Sequence, residues 1–115
     1  MESGLKRGEI RWYTFRLPDK RRSVLILTRD PLASILGRVS VAPVTTAIRG
    51  VPTEVVLDIS DGMPVRSAIN FDNIHTVESD RLGDPIAILP EERWDEVREA
   101  ILHAFGFQSQ PSPHP

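Results

Sequence analysis

A small, mostly-β barrel followed by one amphipathic helix is the fold class this sequence predicts. Short apolar or alternating runs recur at close spacing, separated by turn residues. Only one stretch, residues 90–105, sustains a 3.6-residue apolar period. Nowhere do strand and helix patterns alternate in the rhythm of a parallel α/β sheet, which leaves a compact antiparallel β architecture.

The chain has 115 residues, enough for one domain with its own core, over 1–107, and a Pro-rich tail at 108–115 that reads as disordered. Hydrophobic residues at 40% and charged residues at 26% are ordinary for a globular protein. Cysteine is absent, which excludes disulfides and thiolate metal sites. No apolar run approaches the ~18 residues of a membrane span, and the N-terminus lacks a signal-peptide core, so a cytoplasmic location without membrane attachment is expected. The net charge of −2 conceals an asymmetry: residues 1–57 carry 10 Lys/Arg against 5 Asp/Glu, residues 58–115 only 4 against 11. A basic first half suits a local anionic ligand such as nucleic acid, while the acidic second half argues against indiscriminate polyanion binding.

Taken in order, 1–7 is a polar leader and 8–16 the first strand. Ile10, Trp12 and Thr14 face one way, Arg11, Tyr13 and Phe15 the other, and Trp12 and Phe15 are expected in the core. Residues 17–20 form a turn around Pro18 and Asp19. Three cations, Lys20, Arg21 and Arg22, then run into Val24-Leu25-Ile26-Leu27, a central strand buried on both faces. Asp30 as N-cap and Pro31 at the first helical position open a helix of about two turns, with Leu32, Ile35 and Leu36 at helical spacing and Gly37 as its stop. Residues 38–46 are the third strand, which Pro43 confines to an edge or to its own end. A loop at 47–52 carries Arg49, and 53–58 is the fourth strand, closed by Asp61-Gly62. Residues 65–74 form the fifth, with Asp72 past its last core aromatic, then a polar stretch with Arg81 and a final short strand at 86–89. Pro90 opens the helix, whose stripe is Trp94, Val97, Ile101 and Phe105 and whose stop is Gly106.

The residues point away from several chemistries. His75, His103 and His114 are scattered, with no His-His or His-Glu pair at ligand spacing, so no metal or other cofactor is expected. No Gly-rich phosphate loop or nucleophile elbow is present. What remains is a set at strand ends: Arg22, Thr45, Thr46, Asp72 and Arg81. RNA carries its own nucleophile in the 2′-hydroxyl, so its cleavage asks of the protein only a base, a cation for the charge building on phosphorus, and an acid for the leaving 5′-oxygen. Arg22 can supply the cation, Thr45 a hydrogen bond to a non-bridging oxygen and Asp72 the base. The same cations equally suit a solvated strand entrance.

In order and spacing these pieces resemble the MazF/PemK family of toxin ribonucleases. The matching stretches are Arg7-Gly8-Glu9-Ile10-Arg11-Trp12, Arg22-Ser23-Val24-Leu25-Ile26-Leu27-Thr28, Val41-Ala42-Pro43-Val44-Thr45, Pro52-Thr53-Glu54-Val55, Asp72-Asn73-Ile74 with Thr76, and Arg81-Leu82, spanning about 7–107. The resemblance implies an SH3-like β-barrel of the CcdB/PemK kind with short helices and an amphipathic C-terminal helix, working as a homodimer. It further implies metal-independent, sequence-specific cleavage of single-stranded RNA, often mRNA, to a 2′,3′-cyclic phosphate and a 5′-hydroxyl. The implied partner is a MazE-like antitoxin with a disordered acidic and apolar tail. The family's catalytic arginine and threonine fall on Arg22 and Thr45, and a PemK-type acid/base aspartate on Asp72. Lys20, Arg21, Thr46, Arg49, Asn70, His75 and Arg81 are the accompanying candidates for RNA contact.

Three departures stand out. Ser23 replaces the proline that usually follows the arginine, the loop 17–21 is short and lacks a glutamate, and Asn70 replaces a PemK-type arginine, so Asp72 ranks below Arg22 and Thr45. A gyrase-binding toxin of the CcdB type and an inactive SH3-like binding module are the rival readings.

Overall fold

The computed structural model describes residues 4–14 and 21–107; Phe15, the turn at 17–20, Lys20 and the tail at 108–115 lie outside the described residues. Seven strands form one antiparallel sheet: β1 (Glu9–Thr14), β2 (Arg21–Ile26), β3 (Arg38–Thr45), β4 (Glu54–Leu57), β5 (Ser67–Asn70), β6 (His75–Glu78) and β7 (Leu82–Ile88). Their order is β4-β5-β3-β2-β1-β7, with β6 also paired to β3. Two helices complete the fold, the single-turn α1 (Leu32–Ile35) and the terminal α2 (Trp94–Phe105). The mostly-β class with short helices and a C-terminal amphipathic helix is as expected, and the barrel is an open one, since β4 and β7 end the path without pairing. No helix among the described residues is long and apolar enough to cross a membrane.

The central strand behaves as its composition demands. Val24, Leu25 and Ile26 are fully buried, and β2 lies between β1 and β3. Strand side chains alternate, so β2 and β3 feed two cores at once. Leu25, Ala42 and Val44 join one cluster with Val97 and Ala100 of α2. Val24, Ile26, Val39 and Val41 join another with Val77, against which Tyr13 and Leu82 pack.

Pro43 is a correction. Rather than marking an edge, it lies inside β3, the strand with most neighbours, opposite Val24 of β2. The Ser40 carbonyl accepts from Leu27 N–H on the β2 side, so alternation turns the Pro43 nitrogen to the other side. There β6 pairing ends at Val41 and β5 pairing starts at Val44, and no neighbour asks for the missing N–H.

Other boundaries move for local reasons. Asp30 does not cap α1: its Oδ1 accepts from Arg7 N–H at 2.9 Å, and the helix is one turn with Ile35 and Leu36 exposed. The run expected as one strand over 65–74 breaks at Asn70, whose side chain caps a 3-10 turn at Phe71–Asn73 by accepting from Asp72 N–H at 2.8 Å. The stretch read as polar contains β6 and the first half of β7. β6 buries only Val77, too little for a periodic signal. β7 carries Gly83 and Pro85, tolerated because it is an edge strand with an irregular register against β1. The C-terminal helix opens with a 3-10 turn at Glu91–Arg93, its packed face runs through Ile101 to Ala104, and Phe105 is exposed. Gly106 stops it in the left-handed conformation. Trp12 is half-buried rather than core, with the Arg21 guanidinium 4.3 Å from its ring centre.

Candidate active site

Arg22 is the second residue of β2, exposed where the strand leaves the core; among the described residues it has no ion-pair partner. Thr45 is the last residue of β3 and half-buried. The β2–β3 pairing ends at Val24↔Pro43; Arg22 and Thr45 lie two residues beyond it on their strands, where a continued register would set them opposite one another and where Thr45 itself pairs with Ala68 of β5. Alternation also gives them a common face. Arg22 follows the side of Val24 and Ile26, and Thr45 the side of Val39 and Val41, all four of which belong to the second cluster. Distant in sequence, the two stand on neighbouring strands just past the end of their pairing.

Thr45 is held in place by its loop. Its Oγ1 accepts from Ala47 N–H at 3.0 Å, which leaves the hydroxyl proton available to a ligand oxygen. Thr46 follows, exposed. Tyr13 sits directly opposite Arg22 on β1, with the Arg81 guanidinium 5.8 Å from its ring centre. His75 is opposite Val41 on β6, two residues before Val77 and so on the same face. Arg21 is one residue out of phase with Arg22 and therefore turns to the other side, over Trp12.

Asp72 belongs to a second cluster of polar groups. It stands four residues past Ala68, the partner of Thr45, so the register does not bring the two together. Its Oδ2 accepts from the Thr53 hydroxyl at 2.7 Å and lies 3.7 Å from the Arg49 guanidinium. Oδ1 has no partner among the described residues. Asn70, read as an RNA contact, has its amide oxygen engaged by Asp72 N–H. Glu54 anchors the loop at 47–52: its carboxylate, 1% exposed, accepts from the N–H groups of Arg49 and Gly50 and from the Arg49 side chain. Burial opposes its ionisation, but these donors prevail and hold its carboxyl below the usual range.

The family model for PemK-like, MazF-like toxins of type II toxin–antitoxin systems matches residues 6–105. This chain belongs to that family. It is 41% identical over 87 residues to endoribonuclease MazF3 of Mycobacterium tuberculosis, covering 76% of this chain and 84% of the relative. It is 46% identical over 96 residues to the probable endoribonuclease MazF5 of the same organism, covering 83% and 87%. The solved Mycobacterium tuberculosis toxin MazF-mt6 superposes with a TM-score of 0.80 at 36% identity, over 87% of this chain and 98% of that one. A mycobacterial endoribonuclease in complex with its cognate antitoxin gives 0.78 at 27% identity, over 96% and all of that chain.

In this MazF-like toxin, two site neighbours escaped the sequence reading. Glu54 has no local signal, because its burial depends on a loop folding back on it. Tyr13 had none either: closing the first two strands on a turn at 17–20 would set it opposite Val24, and only the observed register sets it opposite Arg22.

Proposed function

We propose that this toxin cleaves single-stranded RNA, mRNA above all, at short sequences without a metal ion, at a phosphate held between Arg22 and Thr45. What supports the reading is their placement: a cation and a hydroxyl on neighbouring strands, each two residues past the last β2–β3 pair and in phase with side chains of the second cluster. Arg22 neutralises the non-bridging oxygens as negative charge builds on phosphorus, and Thr45 donates to one of them. The substrate's 2′-oxygen attacks, its proton passes to a base, the P–O5′ bond breaks, and the 5′-oxygen takes up a proton. A 2′,3′-cyclic phosphate and a 5′-hydroxyl result. Arginine cannot be the base, because it does not give up its proton in this range. Asp72 is the acid/base candidate through its open Oδ1, ranked below the pair because it lies four residues out of register with Thr45. Lys20, Arg21, Thr46, Arg49, Asn70, His75 and Arg81 are the proposed RNA contacts.

The toxin's proposed setting is the cytoplasm, as a homodimer, with a MazE-like antitoxin as its silencing partner. The related mycobacterial endoribonuclease solved with its cognate antitoxin supports that pairing. The deciding experiment incubates purified protein with single-stranded RNA in EDTA. Cyclic-phosphate ends are expected from the wild type, and Arg22→Ala and Thr45→Ala are each expected to abolish cleavage while remaining folded. Wild-type rates in both variants would remove the proposed site.

A further inference from the structure

We infer that Tyr13 and Arg81 form a base-binding platform beside the Arg22–Thr45 phosphate site, and that this platform sets the base preferred next to the cut. The inference rests on the nuclease reading above and adds the group that selects the sequence. Tyr13 is in direct register with Arg22, so its ring is a strand neighbour of the proposed phosphate ligand. It packs with Leu82 against the second cluster, on the face that Arg22 and Thr45 share, which fixes the ring's position. Opposite Tyr13 on the other side of β1 is Leu82, and Arg81 immediately before it swings its guanidinium over the ring.

Of the three cation–ring contacts among the described residues this is the widest. Arg21 stands 4.3 Å from the centre of Trp12 and Arg7 stands 4.9 Å from that of Trp94. Arg81 stands 5.8 Å from the centre of Tyr13. A base stacked between two planes needs two stacking distances, about 7 Å. Arg81 is exposed and has no ion-pair partner among the described residues, so a small outward swing of a flexible side chain admits the base. Single-stranded RNA is read in this way, by splayed bases held on aromatic rings and guanidinium planes. Tyr13 is the direct cross-strand partner of Arg22, about 5 Å away at Cβ, so a base of the nucleotide whose phosphate Arg22 holds can reach its ring.

The test compares wild type, Tyr13→Leu, Tyr13→Phe and Arg81→Gln. Leucine keeps the packing against the core and removes the π-face; phenylalanine keeps both. Cleavage of a random single-stranded RNA pool is mapped by end sequencing. Affinity is measured by fluorescence anisotropy with an oligoribonucleotide carrying a 2′-deoxy residue at the wild-type cut. Tyr13→Leu is expected to lose base preference at one position flanking the cut and to bind roughly five- to a hundredfold more weakly, the loss of one base–aromatic stack. Tyr13→Phe should match the wild type. Exposed Arg81→Gln, whose folding is not at issue, should relax the same position. A general packing defect would instead lower cutting at all sites equally. If Tyr13→Leu and Arg81→Gln keep wild-type cut sites and affinity while the wild type cleaves, the platform is overturned and the nuclease reading stands. A wild type that cuts no RNA takes both down.

Discussion

Arg22 and Thr45 are individually ordinary residues, and the significance proposed for them comes from the neighbouring strand ends that carry them. The planar guanidinium matters as much as its charge, since it can grip two phosphate oxygens where an ammonium offers a point charge. Arg22→Lys is therefore expected to fold normally and to retain well under a tenth of wild-type kcat/KM, measured on a fluorogenic single-stranded RNA. Activity near the wild type would reduce Arg22 to a general electrostatic role. At the same scale, Glu54 and Asp61 carry a pH signature. Buried Glu54 is held below its ordinary 4.5 by loop donors. Asp61 is held below 3.8 by the Asp58 N–H, against burial and with help from Arg93. A carboxylate with a depressed folded-state pKa contributes stability above its unfolded value and loses it as pH falls through the folded one. Urea midpoints should stay level from neutral pH to about 5 and decline below about 4. The Glu54→Gln/Asp61→Asn pair should flatten that decline.

Among the elements, α2 is fastened to the sheet by one side chain in addition to its apolar stripe. Arg93 donates to Val56 O at 2.6 Å, pairs with Asp61 at 2.8 Å and with Glu96 at 2.6 Å. Hydrogen bonds to Glu96, then to Asp61, outweigh its burial and raise its pKa further. Asp61 in turn caps its own 3-10 turn by accepting from Asp58 N–H. Arg93→Met is expected to cost about 2 kcal/mol, because it strands a mostly buried carboxylate and a carbonyl. An unchanged urea midpoint would mean that Val97, Ala100 and their neighbours hold the helix alone. At the helix's other contact, Gly8 has φ +95°, and a Cβ there would meet the Trp94 ring at 3.1 Å. Gly8→Ala should destabilise by about 2 kcal/mol through backbone strain and crowding together, readable in the same melts.

Across the whole molecule, the basic first half supplies the strands of the proposed site, while most of the acidic excess falls in the second half, α2 included. An acidic antitoxin segment is thus expected to bind at the RNA-binding face, to weaken as salt rises, and to be displaced by single-stranded RNA. Titrations at two salt concentrations, with and without a non-cleavable oligoribonucleotide, check this; binding indifferent to both would place the partner elsewhere.

Residues 24–27 announced a doubly buried strand because four adjacent apolar side chains cannot all be satisfied on one face of a sheet, and the stripe from Trp94 to Ile101 announced a helix with an equally strong period. The sequence by itself therefore determined the mostly-β class, the central strand, the terminal helix and, through resemblance, the pair of residues to examine. Tertiary structure decided what local pattern cannot carry. Pro43 became an interior residue because β3 changes neighbours there, and β6 became a strand on the strength of one buried valine. Asn70 became a turn cap, and Tyr13 became the neighbour of Arg22. Periodicity records which face of a segment is apolar, whereas strand pairing and register are relations between segments, fixed only when burial on both sides of the sheet is satisfied together.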